Sequence, residues 1–418
     1  MKVLVITRNA WDETNAIGNT LSNFLCGVEN AEFANVYFRS AAPNNTLCYE
    51  YYQMSEFEIM KKWFAPHKIG RRFSVSSTKE KEKTSNEKKL VRIIHKYGVN
   101  FAYKISDYLW DRKKWINNKL DEFIRDFSPD IAVTFVKSNP QYYLMVKLLR
   151  EKYGVPVFSW IADDEYSGFE KSKSEKQINR LRYVIDQSSV VTGCSREICE
   201  YYNRVFGCRS FPLYKSCDFS AQLKNKTGCP LTIVYAGNLL YGRLEIIKSV
   251  AQVVEIIRTK NKDVVFEIYS NTELTKSEAE SFFKGLDGTR YIGKRDYGFI
   301  KKRLSDADMV LLAESFDEEQ ILKTKYSFST KIVDYLQCGS VILAIGPSKL
   351  SSIKYIKEIP GTVVIDDLKT LNNKLVSVLE ESEDFPEREK MTRKFAKEHH
   401  NPETGSRKLT EIFRKIIL

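Results

Sequence analysis

From Val3 almost to the end of the chain, short β-branched and aromatic runs alternate with longer stretches of helical periodicity, and nothing else in the sequence restricts the fold as strongly. A strand, a covering helix and a second strand form a βαβ unit, in which the two strands lie parallel in one sheet. The strand runs of the first half are Val3 to Ile6, Val36 to Phe38, Ile131 to Val136, Val155 to Trp160 and Val190 to Thr192. Those of the second half are Leu231 to Tyr235, Val264 to Tyr269, Tyr291 to Ile292, Met309 to Leu312, Val341 to Ile345 and Thr362 to Ile365. Two parallel sheets of five or six strands are predicted. The 418 residues suit two domains of this kind, each with its own core.

The polar stretch Ser220 to Pro230, with Gly228 and Pro230, separates the two sets of strands and marks the boundary. It predicts an N-terminal domain over 1–222, a linker over 223–230 and a C-terminal domain over 231–395. Beyond these, Leu409, Ile412, Phe413 and Ile416 are spaced as one face of a closing helix within 396–418. The lysine-rich run Ser74 to Lys89 has no apolar periodicity and reads as a mobile loop.

Several chemistries are disfavoured by composition. No window approaches the roughly 18 apolar residues of a spanning helix, and the first residues lack a secretory h-region and cleavage site. The eight cysteines form no CxxC and do not pair with His67, His95, His399 or His400 at metal-ligand spacing. They read as reduced, mostly packed thiols of a cytoplasmic protein, without a bound metal. Four histidines in polar segments give a histidine triad or a zinc hydrolase little to build on.

The net charge of +12 is concentrated: residues 68–120 hold fifteen Lys or Arg against five acids. One local basic surface, touching either a membrane or a nucleic acid, follows from that distribution. Within Phe101 to Ile124, the residues Ile105, Leu109, Ile116, Leu120 and Phe123 form a core-facing stripe. Arg112, Lys113 and Lys114 point elsewhere, with Trp110 and Trp115 nearby. Aromatic residues beside a basic cluster suit an anionic membrane surface; no stacking or groove-reading motif accompanies the charge, so nucleic acid is not expected.

Open α/β sheets bind ligands at the carboxyl ends of their strands, and four post-strand segments carry candidate chemistry. Thr14 to Thr20 leads into a helix with Gly18 at its start, where backbone amides can approach a phosphate or where Asn and Thr simply cap the helix. Asn238 to Arg243 precedes a helix beginning Leu244, Ile247, Val250, and Tyr326 to Lys331 precedes one that stops at Gly339. Arg243 and Lys331 thus place cations in first helical turns, which costs about 0.3 to 1 kcal/mol unless an anion sits beside them. A shared diphosphate is one reading and two solvated surface cations the other. Asp334, one turn after Lys331, can hold the hydroxyls of a ribose or pair with that lysine. Asp163, Asp164 and Glu165 follow a strand and can orient or deprotonate an acceptor hydroxyl, or cap the next helix.

With these residues in view, the sequence resembles the two-domain GT-B glycosyltransferases, in particular glycosyltransferase family 4, which includes bacterial surface-polysaccharide transferases. The resemblance rests on NTLSNFL (Asn19 to Leu25), SREICEYYNRVFG (Ser195 to Gly207), YKSCDF (Tyr214 to Phe219), YAGNLLYGRLEIIKSVA (Tyr235 to Ala251) and YSFSTKIVDYLQCGSVILAIGP (Tyr326 to Pro347). It implies two Rossmann-like domains facing each other across a cleft. It also implies Gly18 near a donor diphosphate, Arg243 on phosphate, the amides of Ser329 and Thr330 on phosphate, and Asp334 on the ribose. The family's Arg and Lys pair falls on Arg243 and Lys248, or its Arg on Asn238 if strand ends are aligned. The first acid of the family's E-x7-E pattern is replaced by Tyr326, for which Glu318 or Glu319 is a substitute.

The function so implied is transfer of a sugar from a UDP- or GDP-sugar, with no bound cofactor, to a lipid-linked saccharide acceptor. The expected setting is synthesis of a capsule, a lipopolysaccharide or another surface polysaccharide. The enzyme is expected on the inner face of the cell membrane, attached peripherally through residues 68–120. A retaining reaction needs no enzymic nucleophile; an inverting one assigns Asp163 as base. Rival readings are a degenerate partner subunit at the membrane and a nucleotide-sugar epimerase of the same fold.

Overall fold

The computed structural model describes residues 1–74, 99–167, 174–219, 230–272 and 274–418. These divide into two compact units, Met1–Leu213 with Glu403–Leu418, and Tyr214–Pro402. Most of the run Ser74 to Lys89, the linker 223–229, and Lys79, Lys81, Lys83, Lys88, Lys89, Arg92 and Lys96 of the basic segment lie outside the described residues.

Among the described residues, the first unit holds eight strands: β1 (Lys2–Thr7), β2 (Glu32–Tyr37), β3 (Cys48–Gln53), β4 (Arg71–Ser74), β5 (Ile131–Phe135), β6 (Val157–Ile161), β7 (Val190–Gly193) and β8 (Ser210–Pro212). Their order is β4-β3-β2-β1-β5-β6-β7-β8, parallel except for the antiparallel β3 and β4 pair. Five or six strands were expected, and β3, β4 and β8 are the additions. RRFS and SFP are short edge strands with half-exposed residues, a pattern that suits sheet margins and carries little apolar signal. By contrast β5 and β6 are buried at every position, which is why they read as unbroken apolar runs. The closing helix Pro402–Ile417 belongs to this unit; it buries Leu409 and Phe413, with Phe413 edge-on to Phe158 at 5.3 Å between ring centres.

The expectation for Trp110 and Trp115 is corrected. Both are fully buried, packed edge to face with each other at 5.4 Å and against Phe38, so they are core and face no lipid. Ile105, assigned to the core stripe, is 41% exposed. Among the described residues, the exposed aromatic residues beside the basic cluster are Phe64 and Tyr108.

The second unit holds β9 (Leu231–Ala236), β10 (Val264–Tyr269), β11 (Thr289–Tyr291), β12 (Met309–Ala313), β13 (Val341–Ile345) and β14 (Val363–Ile365). All pair in parallel, in the order β11-β10-β9-β12-β13-β14. Apolar clusters cover both faces, one under the helix Arg243–Thr259, the other under Lys331–Cys338. No helix among the described residues is long and apolar enough to cross a membrane.

Each sheet reverses its winding once, between β1 and β5 in the first unit and between β9 and β12 in the second. At such a point the helices leave to opposite faces, and a crevice opens beyond the carboxyl ends of the two strands. Asn238, Arg243, Lys331 and Asp334 lie around the reversal of the second sheet, while Asp163 and Asp164 follow β6, one strand beyond the reversal of the first.

Candidate functional site

In the second unit, β9 runs into Gly237, Asn238 and a tight turn through Tyr241 and Gly242, both at positive φ (58° and 71°). A Cβ on Gly242 would meet Ser315 Oγ at 2.5 Å, so glycine is required where the helix Arg243–Thr259 starts. The turn brings the Arg243 guanidinium across to β12. Nη2 donates to Glu314 Oε2 at 2.9 Å and to Oε1 at 3.1 Å, Nε to the Ala313 carbonyl at 3.1 Å, and Nη1 to Asn238 Oδ1 at 2.8 Å. Glu314, 5% exposed, is therefore the partner of Arg243. Asn238 belongs to the same cluster. The other member of the expected pair, Lys248, places its ammonium over the Phe282 ring at 4.8 Å.

Lys331, at the start of the helix Lys331–Cys338, aims its ammonium back toward β9. Nζ lies 4.7 Å from the centroid of the Tyr235 ring, and a Cβ on Gly237 would meet it at 1.8 Å. Among the described residues this ammonium has neither a hydrogen-bond acceptor nor a carboxylate in ion-pair range. Withdrawal from water and the nearby Arg243 charge lower its pKa from 10.5 to about 8, against the opposing pull of Glu314 and Asp334. Asp334 pairs with Lys215 instead, at 3.2 Å, and Lys215 is 7% exposed. Lys331 and Asp334 line one pocket together with Ala236, Tyr297, Lys301 and Gln337.

The loop before this helix is clamped by Ser352, whose Oγ accepts from the Ser329 amide at 2.9 Å and donates to the Ser327 carbonyl. The Ser329 N–H is thus engaged, whereas the Thr330 N–H has no acceptor among the described residues. The strand-leading segment Tyr214 to Phe219 packs along the same helix: the Asp218 amide donates to Gln337 Oε1, and the Lys215 carbonyl lies 2.7 Å from His400 Nδ1. His400 is not in a polar surface segment. It is buried, bridges Lys215 to the Tyr355 hydroxyl, and is held below its ordinary pKa chiefly by that burial.

In the first unit, the three acids after β6 differ in their surroundings. Asp164 accepts the Tyr166 and Ser167 amides and the Ser167 hydroxyl. Glu165 pairs with Lys137 at 2.8 Å and accepts from Ser138. Asp163 accepts no hydrogen bond among the described residues. Partial desolvation pushes its carboxyl above the ordinary value; Lys137 opposes the rise, and Glu165 and Asp164 add to it. Gly18 donates its amide to Asn15 Oδ1 at 2.9 Å, and a Cβ there would collide with the Asp12 carbonyl at 1.9 Å. Helix entry alone thus accounts for this glycine.

Glu318 and Glu319 lie on a short helix with side chains 77% and 73% exposed, paired with Lys349 and Lys323. The buried acid of this region is Glu314, which sequence reasoning missed along with Lys215. Two signals could have found Glu314: it directly follows an apolar strand run, and Arg243 at a helix start needs an anionic neighbour.

No family model and no curated protein matches the chain by sequence. Solved structures do resemble it. Sucrose-phosphate synthase from Thermosynechococcus elongatus aligns with a TM-score of 0.63 at 10% identity, over 99% of this chain and 98% of its own. HepE from Anabaena, in complex with UDP, aligns at 0.62 and 11% over 99% and 100%. WaaG, a glycosyltransferase involved in lipopolysaccharide biosynthesis, aligns at 0.59 and 11% over 98% and 99%. At these identities the likeness concerns the fold, and with two Rossmann-like parallel-sheet units in one chain the protein has the GT-B fold.

Proposed function

We propose that the chain is a glycosyltransferase that uses a nucleotide sugar, bound by the second unit. The observation that carries the reading is the unpartnered Lys331 ammonium, held at the winding reversal of the second sheet. Arg243 and Glu314 cancel as a bidentate pair and Lys215 and Asp334 through a single contact at 3.2 Å, so among the described residues Lys331 is the surplus charge of the crevice. A diphosphate supplies the anion this charge lacks, and the first-turn amides of the same helix add donors. HepE binding UDP supports the same ligand class.

Chemically, such a site stabilises the departing diphosphate as the glycosidic bond of the donor breaks. Asp334, already oriented by Lys215, is assigned to the ribose hydroxyls. We assign a UDP- or GDP-sugar as donor and the first unit as the acceptor side, with a retaining reaction that needs no nucleophile from the protein. Should the configuration invert, Asp163 is the base, since it alone of the three acids is unbonded and its pKa is raised. A lipid-linked saccharide acceptor in surface-polysaccharide synthesis, at the cytoplasmic face of the membrane, completes the proposal; WaaG, involved in lipopolysaccharide biosynthesis, supports that setting.

The test is a thermal-shift series with UDP, GDP, ADP, CMP and their sugar conjugates on the wild type and Lys331→Ala. Stabilisation by one nucleotide, lost in the variant, is expected. No shift with any nucleotide overturns the reading.

A further inference from the structure

The winding reversal of the first sheet carries a cation that the donor site does not use. Arg8 follows β1 directly, and Lys137 lies two residues past the end of β5, the strand that pairs with β1 in parallel from Val3 opposite Ile131 to Val5 opposite Val133. Its Nε is buried with no hydrogen-bond partner, and the guanidinium makes no ion pair among the described residues. The carboxylates nearby are committed elsewhere: Glu165 to Lys137 and Ser138, Asp164 to the turn at Tyr166 and Ser167. Arg8 is close enough to Lys137 for its charge to act on that ammonium, and it also acts on the buried Tyr142 hydroxyl. Asp163 follows β6, the strand beyond β5, and Lys137 is the cation that opposes the rise of its carboxyl.

We infer that Arg8 binds an oxyanion carried by the acceptor, a phosphate or a carboxylate, so that the acceptor is an anionic saccharide. This rests on the transferase reading above. Across the carboxyl edge the order is Arg8 on β1, Lys137 on β5 and Asp163 on β6, a span of two strand spacings, about 10 Å between backbones. A monosaccharide with its anionic substituent on the guanidinium fork reaches from Arg8 toward Asp163, where its hydroxyl is presented. The planar fork favours a bidentate oxyanion. Lys137, already neutralised by Glu165, positions the edge without competing for the anion.

Calorimetric titration of the full chain with glucose 6-phosphate, glucuronate and neutral glucose tests this, with UDP titrated in parallel. Binding of one anionic sugar at least tenfold tighter than glucose is expected. Arg8→Gln should abolish that preference, Arg8→Lys should keep part of it, and UDP affinity should stay unchanged in both. The first two sugars separate a phosphate from a carboxylate. If UDP binds and neither anionic sugar is preferred over glucose, or if Arg8→Gln retains the preference, the inference fails while the donor reading stands. Failure of UDP alone to bind overturns the donor reading instead.

Discussion

The Lys331 ammonium lies over the face of Tyr235, 4.7 Å from its ring centre, in a position that no acid of the surrounding strands neutralises. A cation over an aromatic face recovers part of its lost hydration, yet here its pKa still falls to about 8. The unfolded chain binds this proton more tightly than the folded one. The resulting penalty is complete below about pH 8 and fades as the pH rises toward 10.5. Lys331→Met is therefore expected to stabilise the ligand-free protein at pH 7, by on the order of 2 kcal/mol, and to abolish UDP binding. Denaturant melts and UDP titration of the same variant check both signs; a variant that is less stable and still binds UDP contradicts the assignment.

The same proton governs donor affinity. An anion beside Lys331 restores its charge, so UDP affinity should be level below about pH 8 and fall by up to about tenfold per pH unit above it. Lys331→Arg keeps its charge and should give a flat profile to pH 9. Titrations between pH 6.5 and 9 decide; a wild-type profile as flat as that of the arginine variant removes Lys331 from the anion site.

The Arg243 and Glu314 pair predicts an asymmetry between single and double substitutions. Glu314→Ala strands a guanidinium whose side chain is only 14% exposed, and breaking such a pair costs about 3 to 5 kcal/mol. Arg243→Ala strands a carboxylate that is more buried still. The double variant should recover much of the loss, with a coupling of at least about 1 kcal/mol in a double-mutant cycle. Additive losses would show that the two side chains do not act as a pair.

The legible part of this chain is the part in which burial writes directly into residue type. Five strands of the second sheet are runs rich in Val, Ile, Leu or Phe and fall where the sequence reads them. The sixth, TRY at Thr289–Tyr291, overlaps the predicted Tyr291 to Ile292 only at Tyr291, and the closing helix falls where Leu409 and Phe413 predict it. β4 and β8 were not legible, because half-exposed edge strands such as RRFS carry no apolar pattern, and β3 is an inner strand whose residues CYEYYQ mix buried aromatics with Glu50 and Gln53 and so present no aliphatic run. In the candidate site, Arg243, Asn238, Lys331 and Asp334 come together around one crevice. Their partners Glu314 and Lys215 are 71 and 119 residues away from Arg243 and Asp334 along the chain, and no local pattern marks a pairing over that separation. The tryptophans were misread for a related reason: Trp110 and Trp115 sit beside basic residues in sequence, but on a helix and turn whose other face is the core.

The acids after β6 should separate in their effects. Asp163→Asn is expected to slow transfer with UDP affinity unchanged if the reaction inverts, and to leave the rate nearly unaltered if it retains. Asp164→Asn loses the carboxylate that accepts two amides and a hydroxyl and should cost about 1 kcal/mol of stability. Glu319→Gln, on a solvated helix, should change neither. Product anomeric configuration, read by NMR alongside these rates, fixes which mechanism applies; inversion with an unaffected Asp163→Asn enzyme excludes Asp163 as the base.

The proposed membrane attachment turns on Phe64, since Trp110 and Trp115 are buried. Phe64 is 96% exposed in the turn that follows the short helix Glu56–Lys61. Its neighbour Trp63 carries Lys114 over its ring at 3.9 Å and stacks on Tyr108, beside which Arg112 lies. An apolar side chain exposed next to Trp63, whose ring Lys114 covers, can enter the acyl boundary while Lys113, Lys114 and Arg112 meet anionic headgroups. At about 1 kcal/mol per cation and 1.5 to 3 kcal/mol for a buried Phe, roughly, neither element holds the protein alone. Phe64→Ser and Lys113→Gln/Lys114→Gln should each lower co-sedimentation with phosphatidylglycerol vesicles at least fivefold, and added salt should weaken the wild type. Phosphatidylcholine vesicles should bind little in every case. A wild-type protein that stays in the supernatant with anionic vesicles removes the membrane from the proposal and leaves the patch a solvated face.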